Sequence, residues 1–356
     1  MLRRLRPYTS RVWSKILKHE IEDLAVETRV IHPGQPVPIR PPVAPEGAFD
    51  HITQFSPGTT RAVQENWTFG AQDTNGPTRA YRLSDMLLTR GGAYHARGLR
   101  HLRGKSEHVM VRGPIATAQS AALVATDVSE RYFGHWFRDG LVAERLAMDM
   151  GLSAVRPARP AWQHEPGYRD LIGLPACDVE PTLYRDLWLF RDEHLNPHRI
   201  ERLRRNRLAL RAGLTGPVGG VPVFLRRGTT GAARRLVNED AILARLAKMG
   251  FVVLEPEHHT PAEIATILAG APLAIGVEGS NIVHTLMCLP EGAGILVIQP
   301  PDRFNAMARV FAESVGHRYG FTVARPADGG FEQPIDELMQ TIESLLAQTN
   351  AAAPML

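Results

Sequence analysis

The chain has 356 residues, with 41 Lys+Arg against 37 Asp+Glu and a hydrophobic fraction of 44%. At roughly 150 residues per domain this is material for two globular domains, and the composition excludes a disordered, collagenous or disulfide-framework chain. The formal charge of +4 is unevenly spread: residues 1–18 hold six cations and no acid, so the remainder sums to −2, which argues against the wide basic face of a nucleic-acid binder.

The first predicted element is a basic amphipathic helix over residues 11–24, with Val12, Trp13, Ile16, Leu17, Ile21 and Leu24 at helical spacing. Two readings stand side by side: a peripheral contact of residues 1–24 with an anionic membrane, and a helix packed on the body or a frayed tail. Seven prolines from Pro33 to Pro57 predict an extended surface strap. Short strands are expected within 67–125, including 80–88 and 108–111. Residues 134–151 predict one continuous helix, 152–160 and 183–190 strands, and 197–214 a helix whose arginines read as a solvated basic face. A linker is expected at 213–220. Beyond it, strands at 221–226, 251–255, 273–277, 294–299 and 319–323 alternate with helices at 238–249, 261–269, 281–289, 303–315 and 334–348. That alternation indicates βαβ units around a parallel sheet. The expected domains are 1–60, a basic helix and strap; 61–215, an N-terminal domain; and 216–356, a C-terminal α/β domain.

Several chemistries are tested by spacing. No G-x-G-x-x-G follows a strand, and residues 98–106 miss a Walker A loop by one residue between the glycines. H-E-x-x-H, paired C-x-x-C, EF-hand, G-x-S-x-G and D-x-D patterns are absent. Any bound phosphate must therefore rely on cationic side chains and helix N-termini. Two cysteines, Cys177 and Cys288, suit a reducing compartment, and no apolar run suits a membrane span or signal peptide, so a cytoplasmic setting is expected.

Three constellations remain. Arg226 and Arg227 end a predicted strand, a Gly/Thr loop follows, and Arg234 and Arg235 precede a helix that Asn238 is expected to cap. Guanidinium forks there suit phosphate oxygens; the alternative is surface pairing with Glu239, Asp240 or other acids. Glu239 is also placed to hold an arginine. Glu278, Gly279, Ser280 and Asn281 turn a buried strand into a helix, where small residues and exposed amides favour a phosphate or sugar hydroxyl, although capping also explains Ser280 and Asn281. His135 and Asp139, four apart, place an imidazole and a carboxylate on one helix face, either as a general base pair or as a local structural hydrogen bond.

In this order the three pieces resemble glycosyltransferase family 61, whose bacterial members are often labelled capsular polysaccharide biosynthesis proteins. The likeness runs over roughly residues 110–325: Tyr132 to Asp139, Arg226 to Val253, and Ala271 to Val297. It departs at Glu278, where many relatives have His, and at His284, where many have Asn. The resemblance implies an α/β, GT-B-like enzyme of two Rossmann-like domains facing a cleft, inverting and without a bound metal or cofactor. It implies a nucleotide-sugar donor and a glycan or lipid-linked acceptor, at the inner membrane face or in the cytoplasm. Asp139 is the expected base, with His135 assisting or substituting. Arg226, Arg227, Arg234 and Arg235, with Glu239, Glu278, Gly279, Ser280 and Asn281, are the expected donor residues. The competing reading is a non-catalytic glycan- or nucleotide-binding subunit of an assembly complex; an epimerase or dehydrogenase is weakened by the absent glycine fingerprint.

Overall fold

The structure, a computed structural model, describes residues 2–73, 76–102, 110–193, 195–215, 220–228 and 233–349. Parts of the expected 108–111 strand, the 213–220 linker and the 98–106 loop lie outside the described residues. The chain forms two compact units: residues 1–35, 74–163 and 174–203, and residues 36–73, 164–173 and 204–356.

The first unit is built on a mixed sheet. Its strand order is Leu99–His101, Gly92–Tyr94, Thr78–Thr89, Thr182–Arg191, Ala116–Leu123, Ala154–Pro157 and Asp178–Val179, with Glu27–His32 also paired to Thr78–Thr89. Thr78–Thr89 and Thr182–Arg191 are antiparallel, whereas Ala116–Leu123 and the strands beyond it run parallel. Leu83, Met86, Ala121, Leu123, Leu187 and Leu189 pack into one core cluster. The sheet is thus half antiparallel.

Helix α1 spans Arg6–Leu17, earlier than expected. Pro7 fits its first turn, where no amide donor is needed, and Lys18 closes it in the left-handed region at φ 50°. Glu20 and Asp23 then form a capping box that starts the separate 3-10 turn Ile21–Leu24. The continuous helix expected over 134–151 is also broken: α-helix Phe133–His135, a π-helical turn Trp136–Gly140, then α-helix Leu141–Asp149. The Leu141 N–H reaches back to the Trp136 carbonyl, five residues away.

In helix Pro197–Ala212 the expected solvated basic face is wrong, because Arg199, Arg202 and Arg207 are buried. Arg202 donates to Asp192 at 2.8 Å, and Arg207 to the Leu289 carbonyl and His317 Nε2 at 2.8 Å each. Buried guanidiniums need such acceptors.

The second unit has five parallel strands in the order Val252–Leu254, Val223–Leu225, Leu273–Val277, Gly294–Gln299, Arg318–Val323. Val223–Leu225, Leu273–Val277 and Gly294–Gln299 are fully buried, near-continuous apolar runs, as expected of strands covered on both faces, whereas Val252 and Val253 on one edge strand are exposed; Phe224, Ile275, Leu296, Ile298, Leu338 and Ile342 share a core. The proline-rich strap is not a loose surface segment. Val43 bridges Gly320 on the edge strand, with hydrogen bonds to Tyr319 and Phe321 of 2.9 Å each. The fully buried Arg309 guanidinium donates to the carbonyls of Arg40 (2.6 Å), Trp67 (2.7 Å) and Gly70 (3.0 Å). Proline removes amide donors but leaves carbonyls, and one arginine gathers them.

Candidate active-site residues

Parallel α/β sheets present ligands at the carboxyl ends of their strands. In the second unit three strands end this way: Val223–Leu225 runs into Arg226 and Arg227, Leu273–Val277 into Glu278, and Gly294–Gln299 into a loop carrying Asp302 and Arg303. Arg234 pairs with Glu278 Oε2 at 2.9 Å and also donates to the Glu278 carbonyl, to which Arg227 Nη1 lies at 3.4 Å. Gly279 has φ 152°, and a Cβ on it would lie 2.2 Å from Arg227 Nη1 and 2.5 Å from Arg234 Nη1. Only glycine lets both guanidiniums close on this turn.

Arg303 adds a third positive charge acting on Glu278, Arg227 and Arg234, with Glu257 near Arg227 and Asp302 near Arg234 as further acids. Burial raises the Glu278 carboxyl against the pull of Arg234, Arg303 and Arg227, and lowers the guanidiniums of Arg227 and Arg234. Both signs of charge shift toward neutrality because both are short of water. The Nε atoms of Arg234 and Arg303 and both amide atoms of Asn281 are buried without a hydrogen-bond partner. Unsatisfied buried donors beside clustered guanidiniums are suited to an oxyanion.

The remaining sequence-predicted residues divide. Arg226 is committed to carboxylates, Glu239 at 2.9 Å, Glu255 at 3.2 Å and Asp240 at 3.7 Å, so Glu239 does hold an arginine. Arg235 is exposed, and its carbonyl accepts from the Phe331 N–H at 3.0 Å. The Asn238 side chain does not cap its helix: it donates to the Gln333 carbonyl at 2.8 Å and accepts from that residue's N–H at 3.2 Å. Asn281 likewise makes no side-chain cap, and Ser280 is exposed. Arg303 escaped sequence reasoning; its signal is its place in the Pro-Pro-Asp-Arg loop directly after a buried strand.

In the first unit the π-helical turn carries Asp139. Its Oδ2 lies 2.7 Å from His135 Nδ1; Arg138 donates to both carboxylate oxygens at 2.9 Å, and Arg199 to Oδ1 at 2.6 Å. Burial opposes ionisation of Asp139, yet Arg138, the His135 hydrogen bond and Arg199 outweigh it and hold the carboxyl well below the usual carboxylate range. A carboxylate so stabilised is a weak base. Oxygen and Nδ1 at 2.7 Å require the proton on Nδ1, so His135 Nε2 is the acceptor nitrogen of the pair. Arg138 also lies 3.0 Å from Nδ1, a contact that this tautomer makes incidental.

Residues 133–296 match the family model Glycosyltransferase 61, a segment that contains His135, Asp139, Arg227, Arg234 and Glu278 and ends before Arg303. The protein is a glycosyltransferase. No curated protein matches the chain significantly. In this glycosyltransferase, among the described residues, no group of three or more His, Cys, Asp or Glu side chains is arranged to hold a metal ion, and no helix is long and apolar enough to cross a membrane. The first unit also has a cavity of about 530 Å³ lined by Arg3, Ser84, Asp85, Thr117, Gln119 and Arg185 among others; neither His135 nor Asp139 lines it.

His284 of the second unit is buried. Its Nδ1 meets the Tyr168 hydroxyl at 2.7 Å, and burial, with the neighbouring His164, pushes its pKa down to about 3. The ring is neutral when folded, whereas the unfolded chain binds a proton below about 6.5. Stability from this group is therefore intact above about pH 6.5 and is lost as pH falls toward 3, by up to about 1.4 kcal/mol per pH unit. His317, also pushed down by burial, adds to the effect. His284→Asn is expected to flatten the dependence of the urea midpoint on pH between 7 and 5; identical slopes in the two proteins would refute this origin.

Proposed function

We propose that this glycosyltransferase moves a sugar from a nucleotide-sugar donor to a hydroxyl of a glycan or lipid-linked acceptor in surface polysaccharide biosynthesis, by an inverting route that uses no metal. The observation that carries the donor assignment is the convergence of Arg227 and Arg234 on the Gly279 turn, with Arg303 behind them. A departing nucleoside diphosphate develops negative charge on its bridging oxygen, and fixed guanidiniums stabilise that charge in place of a divalent cation. In the transfer the acceptor oxygen forms the new bond to the anomeric carbon, the diphosphate leaves with the bonding pair, and a base removes the hydroxyl proton.

His135 is the base in this reading, and Asp139 is a positioning residue. The carboxylate fixes the Nδ1–H tautomer and stabilises the imidazolium once Nε2 has taken the proton, the role a buried carboxylate has in catalytic triads. This reverses the order expected from sequence. The geometry supporting it is the four-contact saturation of Asp139. Arg226 and Glu239 pair with each other and, with Arg235, are left out of the donor set.

The test is a panel of nucleoside diphosphates and their sugars, scored first by calorimetry and then by product formation with chelator present. A diphosphate at 100 times its dissociation constant is expected to stabilise the protein by about 2.7 kcal/mol. Absence of any binding sinks the donor assignment, and activity that chelator removes sinks the metal-free route. Glu278, in place of the His of many relatives, favours a second reading as a non-catalytic binding subunit; diphosphate-sugar binding with neither transfer nor hydrolysis would select it.

A further inference from the structure

Helix α1 is packed inside out. Its buried residues are Pro7 and Ser10, while Tyr8, Val12, Trp13, Ile16 and Leu17 are exposed, Ile16 by 61%. Spacings of four put Tyr8, Val12 and Ile16 in one row and Trp13 and Leu17 in the next, so the five share one side of the helix. What holds α1 to its unit is polar: Ser10 bonds to the His95 carbonyl, Arg6 donates to the Asp85 carbonyl, and the Val111 N–H donates to the Arg4 carbonyl at 3.0 Å. Met110, 47% exposed, extends the apolar surface beside Arg4. The same segment exposes Arg3, Arg4, Lys15 and Lys18, half-exposes Arg11, and has no acid before Glu20.

We infer that α1 lies in the plane of an anionic phospholipid bilayer, its apolar side in the headgroup boundary and its cations on lipid phosphates. The inference is independent of the transfer chemistry above. An exposed aromatic and aliphatic face with a purely cationic margin matches an in-plane membrane helix. Charge complementarity decides the occupant: a second copy of this face would bring like charges together, whereas an anionic leaflet attracts every one of them.

The full-length protein is expected to co-sediment with vesicles of phosphatidylglycerol in phosphatidylcholine, not with phosphatidylcholine alone, and to be released by salt. Trp13→Ser with Ile16→Ser is expected to weaken binding about tenfold or more, and Arg11→Gln with Lys15→Gln by about fivefold per cation. Because Trp13 and Ile16 are exposed, the melting temperature of Trp13→Ser with Ile16→Ser is expected to hold. Lipids brominated in the upper acyl chain are expected to quench the wild type, and Trp13→Phe to remove most of that quenching while vesicle binding persists. Equal sedimentation with neutral vesicles, no sedimentation with anionic ones, or a concentration-dependent dimer abolished by Trp13→Ser with Ile16→Ser would each overturn the inference.

Discussion

Replacing Arg227 and Arg234 together with alanine is expected to lower transfer by about a hundredfold to ten-thousandfold. Charge-assisted hydrogen bonds contribute about 1.5–3 kcal/mol each, so two lost contacts to the leaving group amount to about 3–6 kcal/mol, at 1.4 kcal/mol per factor of ten. The double variant also strips Glu278 of its ion partner, which costs stability in its own right. Gly279→Ala separates the two effects: it keeps every charge but adds a methyl where both Nη1 atoms now sit. It is expected to weaken nucleoside-diphosphate affinity by about tenfold or more, the consequence of displacing one or two charged contacts. Arg226→Ala, which unties Glu239 and Glu255, is expected to change melting temperature more than diphosphate affinity. If calorimetry gives Gly279→Ala the same binding profile as wild type, the donor site lies elsewhere.

The second large effect concerns the first unit. His135→Gln is expected to reduce kcat by about a hundredfold to ten-thousandfold, the usual worth of a general base, while leaving diphosphate affinity intact. Glutamine preserves a donor toward Asp139 but cannot take a proton. Asp139→Asn should reduce kcat as well, and should also destabilise the fold by about 3 kcal/mol, because Arg138 and Arg199 lose their shared carboxylate. The pH profile discriminates between the two bases. Asp139, held down by its arginines, stays ionised across the working range and cannot produce an acid limb there. An acid limb in kcat/KM that His135→Gln abolishes identifies the imidazole; an unchanged profile at full kcat removes His135 from the reaction.

Legibility in the sequence followed physical cause. The Leu273–Val277 and Gly294–Gln299 strands were readable to the residue, because buried parallel strands are short apolar runs bounded by turn residues. Apolar spacing runs on past Lys18 and so predicts helix α1 too late in the chain, because spacing alone does not reveal a left-handed stop. The π-helical turn was invisible for a related reason: His135 and Asp139 meet whether or not one extra residue enters the turn. The buried arginines of Pro197–Ala212 read as solvated because their acceptors, Asp192, His317 and the Leu289 carbonyl, are scattered along the chain. In the donor cluster, residue types and loop positions were legible, whereas the division of labour was not. Arg226 and Arg227 are adjacent in sequence, yet one braces acids and the other faces the Gly279 turn. Arg303 comes from a strand end that carries no paired motif.

The interleaving of the two units has a consequence for how this protein can be made and divided. The second unit needs residues 36–73 as well as 204–356, and the first unit needs 174–203. Neither can be completed early in synthesis: Val43 leaves the ribosome long before its partner Gly320 exists, and the carbonyls gathered by Arg309 wait nearly as long. Pairings that span most of the chain are slow to form and leave an unpaired edge in the interval. A fragment starting at 216, the boundary that the glycine-rich linker suggests, would lack Val43 on its edge strand and the Arg40, Trp67 and Gly70 carbonyls that the Arg309 guanidinium donates to. Dissection of this enzyme therefore requires circular permutation or rejoining of segments, not truncation.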